Sequence, residues 1–170
     1  MAHGKRQRNQ YRRRSAGKTD YHRRLRLLKS GSSRAIVRVS NTQVTCQLAL
    51  YDKVGDKIVA SFTGNDLQTH GYPSDASKKS IPACYLAGFG LAKKAISNGI
   101  NEAILDIGLS ASSIGSRTFS ALKGMNDGGL VIPHSENILP SEERLSGAHI
   151  SDSLSKVVDS TKKAIEGAFK

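Results

Sequence analysis

The sequence predicts an α/β domain. Its mixed sheet is an antiparallel three-stranded meander extended by one parallel strand through a βαβ unit, and helices pack on it. A basic extended N-terminal arm precedes the domain and a C-terminal amphipathic helix follows it. Three observations predict this. Residues 34–63 carry three successive runs with a period of two. Residues 80–98 read as a helix rich in small residues, followed by an almost continuous apolar run, Ala103–Leu109, of the kind a buried parallel strand shows. The charge is segregated: the first thirty residues hold eleven Lys and Arg against one Asp, so of a net +12 only +2 remains for residues 31–170. The expected organisation is an arm over 1–18, an α/β domain over 19–149, and a helix over 150–170 docked on it.

Composition excludes several classes. The 170 residues suit one domain with tails, and 38% hydrophobic residues are too many for wholesale disorder. No apolar run approaches the ~20 residues of a membrane helix. The N-terminus lacks the apolar segment of a secretory signal. Cys46 and Cys84 lie far apart with no Cys-x-x-Cys, which argues against a zinc ribbon or a disulfide framework.

Residues 1–18 lack hydrophobic periodicity and are expected to be extended. Thr19 is the expected N-cap of a helix over about 20–29, in which Tyr21, Leu25 and Leu28 share one side and Gly31 is the stop. Arg34–Ser40, Gln43–Tyr51 and Asp56–Thr63 are the expected strands. A two-residue turn at Asn41-Thr42 sets Val39 against Val44, Val37 against Cys46 and Ala35 against Leu48. Thr42 suits a type I′ turn poorly, which leaves a wider loop open. A three-residue loop, Lys53-Val54-Gly55, sets Leu50 against Ile58 and Leu48 against Ala60, with Gly55 in the left-handed position. All three apolar rows then share one face, as a defined register requires. The other face, from Arg34 and Arg38 through Gln43, Thr45 and Gln47 to Ser61 and Thr63, is polar and basic. It reads either as a solvated face or as a platform for RNA.

Residues 64–79 read as a loop. Ser80 caps a helix with Pro82 in its first turn, where a missing N–H costs nothing, and Gly99 stops it. Asp106 in the following strand requires a partner, because an unpaired buried carboxylate is costly. Ser116 caps a helix bearing Phe119, Leu122 and Met125 that ends at Gly128-Gly129. Leu130–Ile132 is extended, 133–149 irregular. Ile150, Leu154, Val157, Val158, Thr161, Ile165 and Ala168 fall at helical spacing.

Chemistry-bearing patterns are sparse. The five histidines form no metal-ligand spacing, and neither a Walker A nor a Gly-x-Gly-x-x-Gly pattern occurs. No catalytic residue, metal or cofactor is expected. Two weaker readings exist: a phosphate on the Gly108–Ser116 loop at a helix N-terminus, and an acid–base pair of His134 with Glu136, Glu142 or Glu143. The arm offers more. Arginine outnumbers lysine eight to three in residues 1–30, and its planar fork suits phosphates and base edges. Tyr11 sits among the arginines, placed to stack on an unpaired base. A solubilising or targeting segment, or an anionic membrane surface, are the alternatives; residues 3–18 have no apolar face to insert.

Several segments in order along the chain resemble the archaeal form of the large-subunit ribosomal protein L-eighteen family, related to eukaryotic L-five. They are Lys18-Thr-Asp-Tyr-His-Arg-Arg-Leu-Arg-Leu-Leu28, Arg38-Val-Ser-Asn41, Pro82-Ala-Cys-Tyr-Leu-Ala-Gly88, Leu105-Asp-Ile-Gly-Leu109, Gly115-Ser-Arg-Thr-Phe-Ser-Ala-Leu-Lys-Gly124 and Leu139-Pro-Ser-Glu-Glu-Arg144. Cys84 stands where that family leads one to expect alanine. The resemblance implies a cytoplasmic, non-enzymatic component of the large ribosomal subunit. It implies binding to 5S rRNA and 23S rRNA beside neighbouring proteins of the central protuberance. The implied RNA contacts fall in the arm on Lys5, Arg6, Arg8, Tyr11, Arg12, Arg13, Arg14 and Lys18. In the first helix they fall on Tyr21, Arg23, Arg24 and Arg26, and on the sheet on Arg34, Arg38 and Asn41. Arg117 and Lys123 match the family's Gly-Ser-Arg helix. The alternatives are a nonspecific basic-tailed nucleic-acid chaperone and a nucleotide-binding enzyme using the Gly108–Ser116 loop.

Overall fold

The computed structural model describes Gly4 and residues 8–169. Strands β1 (Arg34–Val39) and β2 (Val44–Leu50) pair antiparallel in the expected register, Val39 to Val44, Val37 to Cys46 and Ala35 to Leu48. The turn is no wider than two residues: Ser40 N donates to Gln43 O, and Ser40 Oγ accepts from the N–H groups of Thr42 and Gln43. That side-chain cap removes the need for left-handed residues, and no described non-glycine residue has positive φ.

The second hairpin departs from expectation. β3 (Lys57–Thr63) pairs Leu48 with Ala60 as predicted, but then Ala49 with Ile58 and Leu50 with Lys57. Val59 is the extra residue of a β-bulge, which shifts the register by one. Leu50 and Ile58 therefore end partly exposed at the hairpin tip, and Ala49 is buried in their place. Gly55 does not adopt the left-handed conformation expected of it.

The short β4 (Ile104–Asp106) lies parallel to β1, giving the order β3-β2-β1-β4. The expected strand ran to Leu109, but Gly108 turns left-handed at φ +62° and Leu109 is exposed. The arm is not wholly extended: α1 (Arg12–Ser15) makes one helical turn. α2 (Tyr21–Leu28) is capped by Asp20 rather than Thr19, because Asp20 Oδ1 reaches the N–H groups of both His22 and Arg23. Leu25, on the apolar side of that helix, is exposed. A short helix, α3 (Asp66–Thr69), interrupts the predicted loop and buries Leu67.

α4 (Ile81–Ser97) begins as predicted, with Ser80 Oγ accepting from Ala83 N. It lies between the sheet and α5 (Arg117–Asp127). Its small residues serve close approach: a Cβ on Gly88 would sit 2.1 Å from Ala121 O, and one on Gly124 would sit 2.0 Å from Tyr85 O. Residues 133–149 hold more structure than expected, a 3₁₀ turn at Glu136–Ile138 and α6 (Glu142–Ser146). α7 (Asp152–Ala168) packs on α4 and α6 through buried Leu154, Val158, Thr161 and Ile165, whereas Ile150 is exposed. Lys162 Nζ donates to Tyr85 Oη at 2.9 Å and lies over the Tyr85 and Phe89 rings. Cys46 and Cys84 are buried free thiols.

Candidate nucleic-acid interface

α2 is tied through Arg24 to Asp56 and through Arg23 to the turn after β4, and three arginines and two aspartates from four segments meet there. Arg24 Nη2 donates to both Asp56 carboxylate oxygens at 2.9 and 3.0 Å. Arg34 Nη2 lies 2.6 Å from Asp56 Oδ2, and its Nη1 donates to Asp106 Oδ2 at 3.2 Å. The Nη2–Oδ2 approach is a charge contact outside hydrogen-bond angles, and Nε of Arg34 has no partner among the described residues. Arg38 Nη2 donates to Asp106 Oδ1 at 2.9 Å, and its Nη1 donates to the carbonyls of Asp106 and Val37. The result is an alternating chain, Arg24–Asp56–Arg34–Asp106–Arg38. Burial pushes the Asp56 carboxyl upward, but the hydrogen bonds and charges of Arg34 and Arg24 outweigh it and hold the group below its ordinary value.

Asp106 also accepts from Gly108 N, and Arg23 Nη1 donates to Gly108 O. Glycine is required at 108: φ is +62°, and a Cβ there would lie 2.7 Å from Arg38 Cζ. The need of Asp106 for a partner is thus met twice over. Arg34, expected among the RNA contacts, is 1% exposed and committed to two carboxylates, so it supports the surface from beneath instead of lying on it.

Above this chain lies a cleft of about 150 Å³ lined by five cations, Arg13, Lys18, Arg23, Arg24 and Arg38, and by two acids, Asp20 and Asp106. The arm is held at its mouth by Arg13 Nε donating to Thr19 Oγ1 at 2.9 Å, and the Tyr11 and Tyr21 rings meet at 5.3 Å. Tyr11 remains 74% exposed. Arg8, Arg12, Arg14 and Arg26 are exposed and have no acid partner among the described residues. Lys5 and Arg6 lie outside the described residues. Short of masking by RNA or another polyanion, these free cations repel one another, and phosphates relieve that repulsion directly.

The remaining expected residues divide. Asn41 O accepts from Lys79 Nζ at 2.6 Å, which joins the β1–β2 turn to a second cleft of about 440 Å³. Lys79, Arg117, Arg144 and His149 line that cleft, and none of them is paired with an acid among the described residues. Three of these four, Lys79, Arg144 and His149, escape a sequence reading because they come from two loops and α6 with no common spacing. Lys123 lies about 120° round α5 from Arg117, and pairs with Asp127 at 2.8 Å. It belongs to neither cleft.

Of the two weaker chemical readings, the acid–base pair does not form. In the Gly108–Ser116 loop, Gly108 N, Ser110 N, Gly115 N and Ser116 N donate to Asp106, Ile107, Ile138 and Ser113, whereas Ser116 makes no side-chain cap to the first turn of α5. His134 contacts Asn126 and the Ile132 carbonyl and no glutamate. Among the described residues no group of His, Cys, Asp or Glu is arranged to hold a metal ion, and no helix is long and apolar enough to cross a membrane.

Residues 5–100 and 97–135 match the family model described as ribosomal large subunit proteins 60S L5 and 50S L18. The chain is 47% identical over 152 residues to large ribosomal subunit protein uL18 of Methanoculleus marisnigri, covering 89% of this chain and 86% of that one. It is 42% identical to uL18 of Natronomonas pharaonis over 94% of this chain and 85% of that one. It is 40% identical to uL18 of Methanococcoides burtonii over 99% of both.

Proposed function

The chain belongs to the L5/L18 family of large ribosomal subunit proteins, and we propose that within the subunit it binds 5S rRNA and helps attach it to 23S rRNA in the central protuberance. As a family member it is a structural component of the large subunit and not an enzyme. The observation that carries the RNA assignment is the joining of free cations to fixed ones. Exposed arginines of the arm neutralise phosphates without regard to sequence, whereas Arg23, Arg24 and Arg38 are held in set directions around one cleft. Phosphate contacts supply affinity, and a preformed surface supplies selection of a folded RNA. The second cationic cleft, at Arg117 and Lys79, supports contact with a further RNA segment. The polar sheet face remains open apart from Arg34 and supports a platform beside the arm.

Footprinting of the purified protein on total ribosomal RNA tests this. The expected result is protection concentrated on 5S rRNA and on a limited stretch of 23S rRNA. Protection spread evenly over all duplex regions would replace the proposal with a nonspecific chaperone.

A further inference from the structure

Two acids, Asp56 and Asp106, stand within this basic region, directly beneath the arginines of the cleft, and lower its positive potential. Their contribution to stability through the outer members is small, since the Arg24 and Arg38 side chains are 35% and 45% exposed and such pairs add little. Their effect on direction is large. Arg24 is gripped by both oxygens of Asp56, and Arg38 by Asp106 and two carbonyls, with Arg34 buried between the acids so that neither carboxylate can swing away. Gly108 gives Arg38 the room to lie against the backbone.

We propose that Asp56 and Asp106 are positioning residues for RNA binding: they hold Arg24 and Arg38 in fixed geometry before the RNA arrives, so that recognition does not have to order two long side chains. The inference rests on the RNA-binding reading above. Ordering a long side chain on binding costs affinity, and an arginine fixed in advance avoids that cost for the partner whose phosphates match its direction. It brings no such gain with a duplex that presents phosphates everywhere.

The test inverts a sign. Asp56→Asn removes an acid from a basic surface, so charge alone predicts tighter binding to every RNA. Positioning predicts about two- to tenfold weaker binding to 5S rRNA, with binding to an unrelated duplex unchanged or tighter. In an Arg24→Ala background the same substitution should have little further effect on 5S rRNA, because the group it positions is gone. Tighter 5S binding by Asp56→Asn, or equal losses with and without Arg24, would overturn the proposal. If the wild-type chain itself shows no preference for 5S rRNA, the functional reading fails first and takes this inference with it. Should Asp56→Asn unfold, Arg24→Ala against Arg26→Ala decides. Each removes one charge from α2, but only Arg24 is held, so its loss must cost more 5S affinity; equal costs overturn the proposal.

Discussion

Gly124→Ala is the sharpest test of how the domain is built. The ideal Cβ at this position would lie 2.0 Å from Tyr85 O, 2.9 Å from Tyr85 C and 3.0 Å from Phe89 N. All three are backbone atoms of α4, so no rotamer change can relieve the contact. An ordinary carbon–oxygen contact needs about 3.4 Å, so the helices must separate by roughly 1.4 Å, far more than a close-packed interior absorbs. Overpacking costs about 1–3 kcal/mol and more where backbone must move. Alanine recovers about 1 kcal/mol of helix propensity, and the clash exceeds that. The difference is about 0–2 kcal/mol, and because backbone must move here its upper end, about 2 kcal/mol, is expected, which for a chain of this size lowers Tm by roughly 4–8 °C. Gly167→Ala is the control. It lies in the last turn of α7 with nothing within 4 Å of its Cβ, so the same chemical change should leave stability unchanged or raise it by less than the ~0.5–1 kcal/mol of a helix interior. Thermal unfolding followed by far-ultraviolet circular dichroism compares the two. Equal or higher stability of Gly124→Ala would refute the α4–α5 packing described above.

Asp106→Ala should destabilise the free protein by roughly 3–5 kcal/mol, because it strips one of two carboxylates from the buried Arg34; an unchanged denaturant midpoint would make Asp106 dispensable to the fold. Burial pushes the Cys84 thiol up to about 12 and Cys46 well above its ordinary value, so both should react with a thiol reagent at pH 8 only as fast as the chain opens. Rapid labelling of either in the native protein would contradict their burial. The folded pKa of Asp56 lies below its unfolded value near 3.9. Its stabilising contribution is therefore complete above that value and is lost as pH falls through the lower, folded one. Asp56→Asn should flatten the stability profile below about pH 4 and leave its shape between pH 5 and 8 unchanged; an altered shape near neutrality would point to another group.

The first hairpin was legible because three apolar rows and a two-residue turn agree on one register, and any slip would turn Val37 and Cys46 outward. The second was half legible. Alternation continues through Ile58, Val59 and Ala60, and nothing in it marks Val59 as the residue that the bulge leaves unpaired. The need of Asp106 for a partner could be read from its apolar neighbours. The identity of that partner could not, since Arg34 and Arg38 are some seventy residues away and meet it only through the parallel pairing of β1 with β4. The burial of Arg34 was hidden for the same reason. Strand periodicity places it beside Arg38, and only Asp56 and Asp106, supplied by a distant loop and strand, make its burial tolerable. The basic arm was legible from charge alone, but its cleft was not, because the walls combine α2 with the turn at Gly108.

Titration of the full chain and of a chain lacking residues 1–18 against 5S rRNA and a duplex of equal length, at salt from 50 to 200 mM, tests the central claim most directly. All described residues from 8 to 18 are exposed, so the deletion should leave the fold intact. With roughly six or more phosphates neutralised by the arm, affinity of the full chain should fall on the order of a thousandfold across that range. The shortened chain should show a much flatter slope and weaker binding, yet still prefer 5S rRNA over the duplex through Arg23, Arg24 and Arg38. An unchanged slope would show that the arm does not reach the phosphates, and a lost preference would show that the cleft does not select the RNA.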